Sequence, residues 1–254
     1  EHNSLLIDEL QDIIDKVNIF GYHFASLDIR QDSRIHSSAF SSIFKISQQK
    51  VSKLFPDNYL DLNDLKKIKT LSKIKGDISP DLFEDDLTKS TLSSIRAMKE
   101  IQVENGEKAC NRYIISNNQS ALNILEVFTM FRLSDWDNPT VDIVPLFETV
   151  SDLKVASKVM DLVYSNPIYK KHLERRKNQQ TIMLGFSDGT KDGGYLMANW
   201  RILKAKEAIT SIYRKPGVNV IFLDGIVGHP AKGGGNPHQC YASLGTLADA
   251  DEIT

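Results

Sequence analysis

The chain alternates between short apolar runs and longer stretches with a helical apolar repeat. Five runs read as buried parallel strands, because each is short, apolar or β-branched and gives way to a polar turn. They cover residues 24–29, 113–115, 141–147, 181–186 and 218–223. Helical periodicity fills the intervals, most clearly over 91–105, 120–133, 150–164 and 196–213, and a first helix aligns Leu6, Leu10, Ile13, Ile14 and Val17 on one face. Strand alternating with helix predicts an α/β fold with a parallel sheet or barrel. The last four strands end near Asn117, Glu148, Asp188 and Asp224. That spacing of roughly 30 to 40 residues is the pace of one βα unit in a barrel of about 250 residues or more. Residues 40–90 are polar and helix-forming, with Pro56 and Pro80 as breakers, and read as a helical insertion.

Composition changes this picture little. Among 254 residues, 41% are hydrophobic and 25% charged, as in ordinary globular domains. A net charge of −2 leaves no electrostatic footprint for nucleic acid or an anionic membrane, so neither partner is expected. No apolar run approaches the ~18 residues that span a bilayer, and no signal-peptide pattern is visible. Cys110 and Cys240 lack metal-ligand spacing, which suits a reducing, cytoplasmic compartment. The chain opens at Glu1 inside a helical pattern and stops at Thr254 without a terminating element, and reads as a segment cut from a longer protein.

The candidate chemistry sits at the strand ends. Asp28, Arg30, Gln31, Asp32 and Arg34 cluster at the first, Ser116 to Gln119 at the second, and Glu148 follows the third directly. The fourth leads into Gly185-Phe186-Ser187-Asp188-Gly189-Thr190-Lys191-Asp192-Gly193-Gly194, and the fifth into Asp224, Lys232 and Gly233 to Gly235. In a barrel these ends share one mouth, where active sites lie. Carboxylates, cations and a glycine-rich loop together suit Mg²⁺ or Mn²⁺ and a small phosphorylated acid. Each part also has a plainer reading. The Gly185–Gly194 run could be a surface turn; Glu148 could cap the following helix; Arg30 and Arg34 could pair with Asp28 and Asp32 at the surface. Gly233 to Gly235 lack the Gly-Lys-Ser/Thr of a P-loop, and His229 and His238 read as solvated histidines.

Taken in order, Leu27-Asp28-Ile29-Arg30-Gln31-Asp32-Ser33-Arg34-Ile35-His36, Val144-Pro145-Leu146-Phe147-Glu148-Thr149 and the Gly185–Gly194 run closely resemble phosphoenolpyruvate carboxylase, in particular its bacterial forms. Tyr113-Ile114-Ile115-Ser116-Asn117 and Asn199-Trp200 support this, and the likeness runs through nearly the whole chain. The resemblance implies a helix-rich (β/α)8 TIM-barrel-like fold, incomplete here with about five parallel strands. It makes residues 1–254 one partial barrel domain from the centre of a longer chain. It implies carboxylation of phosphoenolpyruvate with bicarbonate to oxaloacetate and phosphate, and a homo-oligomer, a tetramer in the family. It assigns Glu148 and Asp188 as ligands of Mg²⁺ (or Mn²⁺), Lys191 as the active-site lysine and Arg30 as a catalytic, phosphate-binding arginine. Lys232, Gly233 and Gly234 fall in its mobile phosphate-binding loop.

The loop departs from the family pattern (His or Asp)-Gly-Arg-Gly-Gly followed by Arg-Gly-Gly. Here Ile226 replaces the first arginine, Val227 its neighbouring glycine, and Lys232 the second arginine. An Arg fork grips phosphate bidentately; Lys keeps only the charge and Ile keeps nothing. A degenerate or truncated non-catalytic paralogue, binding metal or an anion or serving in assembly, is therefore the alternative.

Overall fold

A computed structural model describes residues 6–49, 54–213 and 217–224. Its centre is one five-stranded sheet: β1 (Asp28–Asp32), β2 (Arg112–Ser116), β3 (Asp142–Phe147), β4 (Gln179–Leu184) and β5 (Asn219–Asp224). The strands are all parallel and neighbour one another in chain order. Between them run α2 (Ser33–Gln49), α3 (Asp64–Leu71), α4 (Asp86–Asn105), α5 (Ala121–Arg132), α6 (Val150–Tyr164), α7 (Pro167–Arg175), α8 (Ser187–Gly193) and α9 (Tyr195–Tyr213). Helix α1 (Ile7–Phe20) precedes the sheet. This is an incomplete TIM-barrel-like α/β fold, in which β1 and β5 each have one strand neighbour among the described residues.

The helices begin where side chains can take up their free N–H groups. Ser120 with Asn123 and Thr149 with Asp152 form capping boxes on α5 and α6, and Asn166 caps α7 ahead of Pro167. Side chains alternate across each strand, and the alternation sorts the sheet into two apolar layers. Tyr113, Ile115, Ile143, Phe147, Ile182, Leu184, Val220 and Phe222 join the core beneath the helices, against Leu92, Ile95, Val127, Phe131, Val159 and Val163 among others. Ile114, Val144 and Leu146 form a second, smaller cluster on the opposite face, with Met183 and Leu223 packed on it. Register matches Arg30 to Ile114 and Ile114 to Val144, so Arg30 belongs to that second face.

Three sequence expectations shift. The first strand is 28–32, not 24–29: Phe24 has φ 63° and Phe24 and Leu27 are exposed, so this apolar run is a connection. The fourth strand begins earlier and stops at Leu184 rather than at 186. The glycine-rich run after it is a short helix, α8, rather than a turn. The helical excursion after β1 starts at Ser33, and it carries its own aromatic cluster of Phe40, Phe44, Phe55 and Tyr59, with ring centroids 5.1–6.0 Å apart. The apolar stripe of α1 is exposed throughout, Leu10, Ile13 and Val17 included.

Candidate active site

Glu148 follows β3 immediately. The helix cap that it could have provided is supplied by Thr149, whose hydroxyl accepts the Asp152 N–H while Asp152 accepts the Thr149 N–H. Glu148 is thereby free of helix duty, and its two oxygens are met from two other strands. Arg30 Nη2 donates to Oε1 at 3.0 Å, and the Asn117 backbone N–H donates to Oε2 at 3.1 Å. The Arg30 side chain is half exposed and that of Glu148 only 16% exposed.

Burial pushes the Glu148 carboxyl above the usual carboxylate range. The Asn117 N–H and the Arg30 charge pull it back down, and the negative charges of Asp188 and Asp152 push it up. The ionised form is thus under-compensated by the groups around it. A further cation beside Glu148 and Asp188 would relieve both the desolvation and the repulsion, so the pair suits a divalent ion on chemical grounds. Among the described residues no group of three or more His, Cys, Asp or Glu side chains converges. Two carboxylates are nevertheless a usual protein share for Mg²⁺, which keeps waters and substrate oxygens in its remaining positions.

Asp188 and Lys191 lie one turn apart on α8, with Lys191 Nζ 3.0 Å from Asp188 Oδ1. Both are exposed, the lysine at 77%. Helix α8 is tied down near its C-terminal end. Asp192 Oδ2 accepts the Val150 N–H at 3.1 Å, tying the motif to the start of α6. Just ahead of the helix, a Cβ at Gly185 would stand 3.0 Å from Glu148 Cα and 3.2 Å from its Cγ, so a side chain there would crowd the β3 end. Glycine suits this close approach of two strand ends.

The plain surface-pair reading is right for Arg34, whose guanidinium grips Asp32 with contacts of 3.0 and 2.8 Å and holds that carboxyl below its ordinary range. It is not right for Arg30. Asp28 faces Arg112 instead, at 3.6 Å. The geometry therefore brings Arg30 onto Glu148, with Asp188 close enough for its charge to act there and Lys191 bound to Asp188. Lys232, Gly233, Gly234, Ile226, Val227 and both loop histidines lie outside the described residues. Sequence reasoning placed Asn117 among the polar strand ends but gave it no task. Its task is carried by its backbone, at a φ of 53° that Asn tolerates, and the residue pattern does not encode it.

Cationic and acidic side chains gathered at the ends of consecutive parallel strands define a barrel-type α/β protein with a strand-end site. The model of one family, phosphoenolpyruvate carboxylase, matches residues 1–246. The chain belongs to the phosphoenolpyruvate carboxylase family. It is 34% identical over 252 residues to a phosphoenolpyruvate carboxylase of Nitrosomonas eutropha, covering 94% of this chain and 26% of the relative. It is 32% identical over 256 residues to that of Gloeobacter violaceus, covering 96% and 27%, and 35% identical over 240 residues to that of Nitrosomonas europaea, covering 91% and 25%. The chain thus spans about a quarter of the length of these relatives. Among the described residues no helix is long and apolar enough to cross a membrane.

Proposed function

We propose that this chain carries the metal-binding and part of the phosphate-binding side of a carboxylase that joins phosphoenolpyruvate and bicarbonate to give oxaloacetate and phosphate. The observation that carries the reading is the contact between Arg30 and Glu148, residues 118 positions apart, at a strand-end mouth in a chain of this family. Glu148 and Asp188 would hold Mg²⁺ or Mn²⁺, which when bound supplies Lewis-acid stabilisation of the negative charge that develops on substrate oxygens.

The remaining roles belong to the side chains. Phosphoenolpyruvate is a compact polyanion, so its site needs fixed positive charge in a partly dry cleft. Arg30 presents a planar guanidinium suited to a phosphate oxygen pair. Its bond to Glu148 keeps it at the mouth, and an incoming phosphoryl group would compete for it. Lys191, exposed and paired with Asp188, supplies a mobile positive charge beside the acidic pair. Its role is electrostatic and positioning.

One feature of the sequence favours the non-catalytic alternative. Ile226 stands where the family pattern has a loop arginine. A carboxylase assay on the protein, with Ile226→Arg and Glu148→Gln alongside, decides between the readings. The catalytic reading expects measurable oxaloacetate formation that Glu148→Gln abolishes, with a gain in the Arg variant on the order of 10³-fold, typical of one phosphate-clamping arginine. No turnover in either the unaltered protein or the Arg variant would leave the degenerate reading standing.

A further inference from the structure

We infer that Asn117 is a positioning residue for Glu148, and that its left-handed backbone conformation is what fixes the carboxylate for metal. The inference rests on the assignment of Glu148 as a metal ligand proposed above.

Asn117 follows β2 directly and lies between the ends of the two strands that flank it. Its backbone N–H donates to Glu148 Oε2 at 3.1 Å. Its carbonyl accepts the hydroxyl of Ser33 at 2.6 Å, and Ser33 is buried at 3% exposure at the start of α2. Its side-chain amide also favours the ionised Asp32 carboxylate at the end of β1. Asp32 is in turn locked by Arg34. One residue thus links the start of α2, directly behind β1, to the end of β3 through its carbonyl and its N–H, and the link ends on the carboxylate.

The conformation is the selective part. At φ 53° the N–H can sit on Glu148 while the carbonyl of the same residue sits on Ser33. Asn tolerates that region because its short polar side chain bonds locally, Gly tolerates it without cost, and a β-branched residue does not. A valine at this position would be driven toward negative φ, swinging the carbonyl and the chain after it away from Ser33, so that the N–H and carbonyl bonds could no longer be made together and the peptide at the end of β2 would shift off Glu148. Arg30 alone would then hold the carboxylate, by a single half-exposed contact. Groups that hydrogen-bond a metal-ligating carboxylate orient it and set its basicity, and losing one typically weakens metal affinity by about 10- to 100-fold.

Mn²⁺ binding, read from the electron paramagnetic resonance signal of free Mn²⁺ during titration, tests this without recourse to turnover. Four variants are compared with the unaltered protein: Asn117→Val, Asn117→Gly, Ser33→Ala and Glu148→Gln, each with a thermal unfolding curve. The expected pattern is Mn²⁺ binding by the unaltered protein, loss in Glu148→Gln, weakening of roughly 10-fold or more in Asn117→Val, and near-full retention in Asn117→Gly, which keeps the backbone but not the amide. Ser33→Ala, which frees the Asn117 carbonyl, should weaken binding in the same direction by less. It decides the matter should the valine variant not fold. Asn117→Val binding like the unaltered protein, Val and Gly variants weakened equally, or an unaffected Ser33→Ala beside an unfolded valine variant overturns the inference while the metal assignment stands. If Glu148→Gln binds Mn²⁺ as the unaltered protein does, or neither binds it, the metal assignment and the inference fall together.

Discussion

Arg30 reaches past β2 to place Nη2 3.0 Å from Glu148 Oε1, so a side chain of β1 pairs with the residue that follows β3. The pair is partly solvated, and a contact of that kind adds no more than about 1 kcal/mol to stability. Its value is expected in turnover. Arg30→Gln should lower kcat/KM for phosphoenolpyruvate by a factor on the order of 10² to 10³, as for loss of one charge-stabilising donor. The same variant should unfold at nearly the same temperature. A variant that melts many degrees lower would mark Arg30 as structural instead.

Lys191 should behave similarly for a different reason. It is exposed and, among the described residues, tied to Asp188 one turn away, a geometry that contributes roughly 0.5 kcal/mol or less. Lys191→Ala is expected to leave the denaturant midpoint in place and to depress turnover. Equal activity in the alanine variant would remove this lysine from the site.

Gly185→Ala tests the close approach of β4 to the β3 end. The added methyl would meet Glu148 Cα at 3.0 Å and Cγ at 3.2 Å, and main chain cannot withdraw as a flexible side chain can. Overpacking of this sort costs about 1–3 kcal/mol. The variant should lose that much in chemical denaturation and should also bind Mn²⁺ more weakly, because Glu148 itself is displaced. Loss of stability with metal binding intact would separate the glycine from the site.

Stability should depend on pH through groups remote from the site. Glu126, buried on α5 and bonded to the Ser37 hydroxyl at 2.9 Å, is pushed up to about 7 by burial. Its folded pKa lies above its unfolded one, so the native state holds the extra proton and stability falls as pH rises from about 4.5 to about 7. His36, buried against the Tyr113 hydroxyl, is pushed down to about 4 by burial, so its contribution is lost as pH falls from about 6.5 to about 4. Glu126→Gln keeps the acceptor for Ser37 and removes the ionisation. At pH 8 it should exceed the unaltered protein by an amount on the order of 3 kcal/mol, and the two should converge near pH 4. Parallel stability curves across that range would show Glu126 to titrate normally.

The repeat of strand and helix was plain in the chain because buried parallel strands are nearly all apolar, as in Val141 to Phe147. The first strand was misplaced for the opposite reason. Its Asp-Ile-Arg-Gln-Asp run is polar because alternate side chains on its second face, Arg30 and Asp32, serve the site rather than a core, whereas the apolar Phe24 to Leu27 stretch before it is exposed. The Gly185–Gly194 run looked like a turn because glycine usually signals one. Here glycine gives room for Glu148 to pack, and the segment is helical. Glu126 was invisible because it interrupts an otherwise apolar helix face, where one acidic residue leaves the period intact. The task of Asn117 is carried by its backbone, which no side-chain pattern encodes.

Pairing of the strands in chain order also fixes a schedule for biosynthesis. As the polypeptide leaves the ribosome, β1, β2 and β3 can dock in succession, each onto the strand just made. Arg30, Asn117 and Glu148 can then come together before α8 docks. The nascent carboxylate meets a cation and a peptide N–H from its own chain first, and Asp188 arrives only with the next unit. A growing intermediate is thereby spared an unpaired buried charge during the interval when it is most exposed to aggregation.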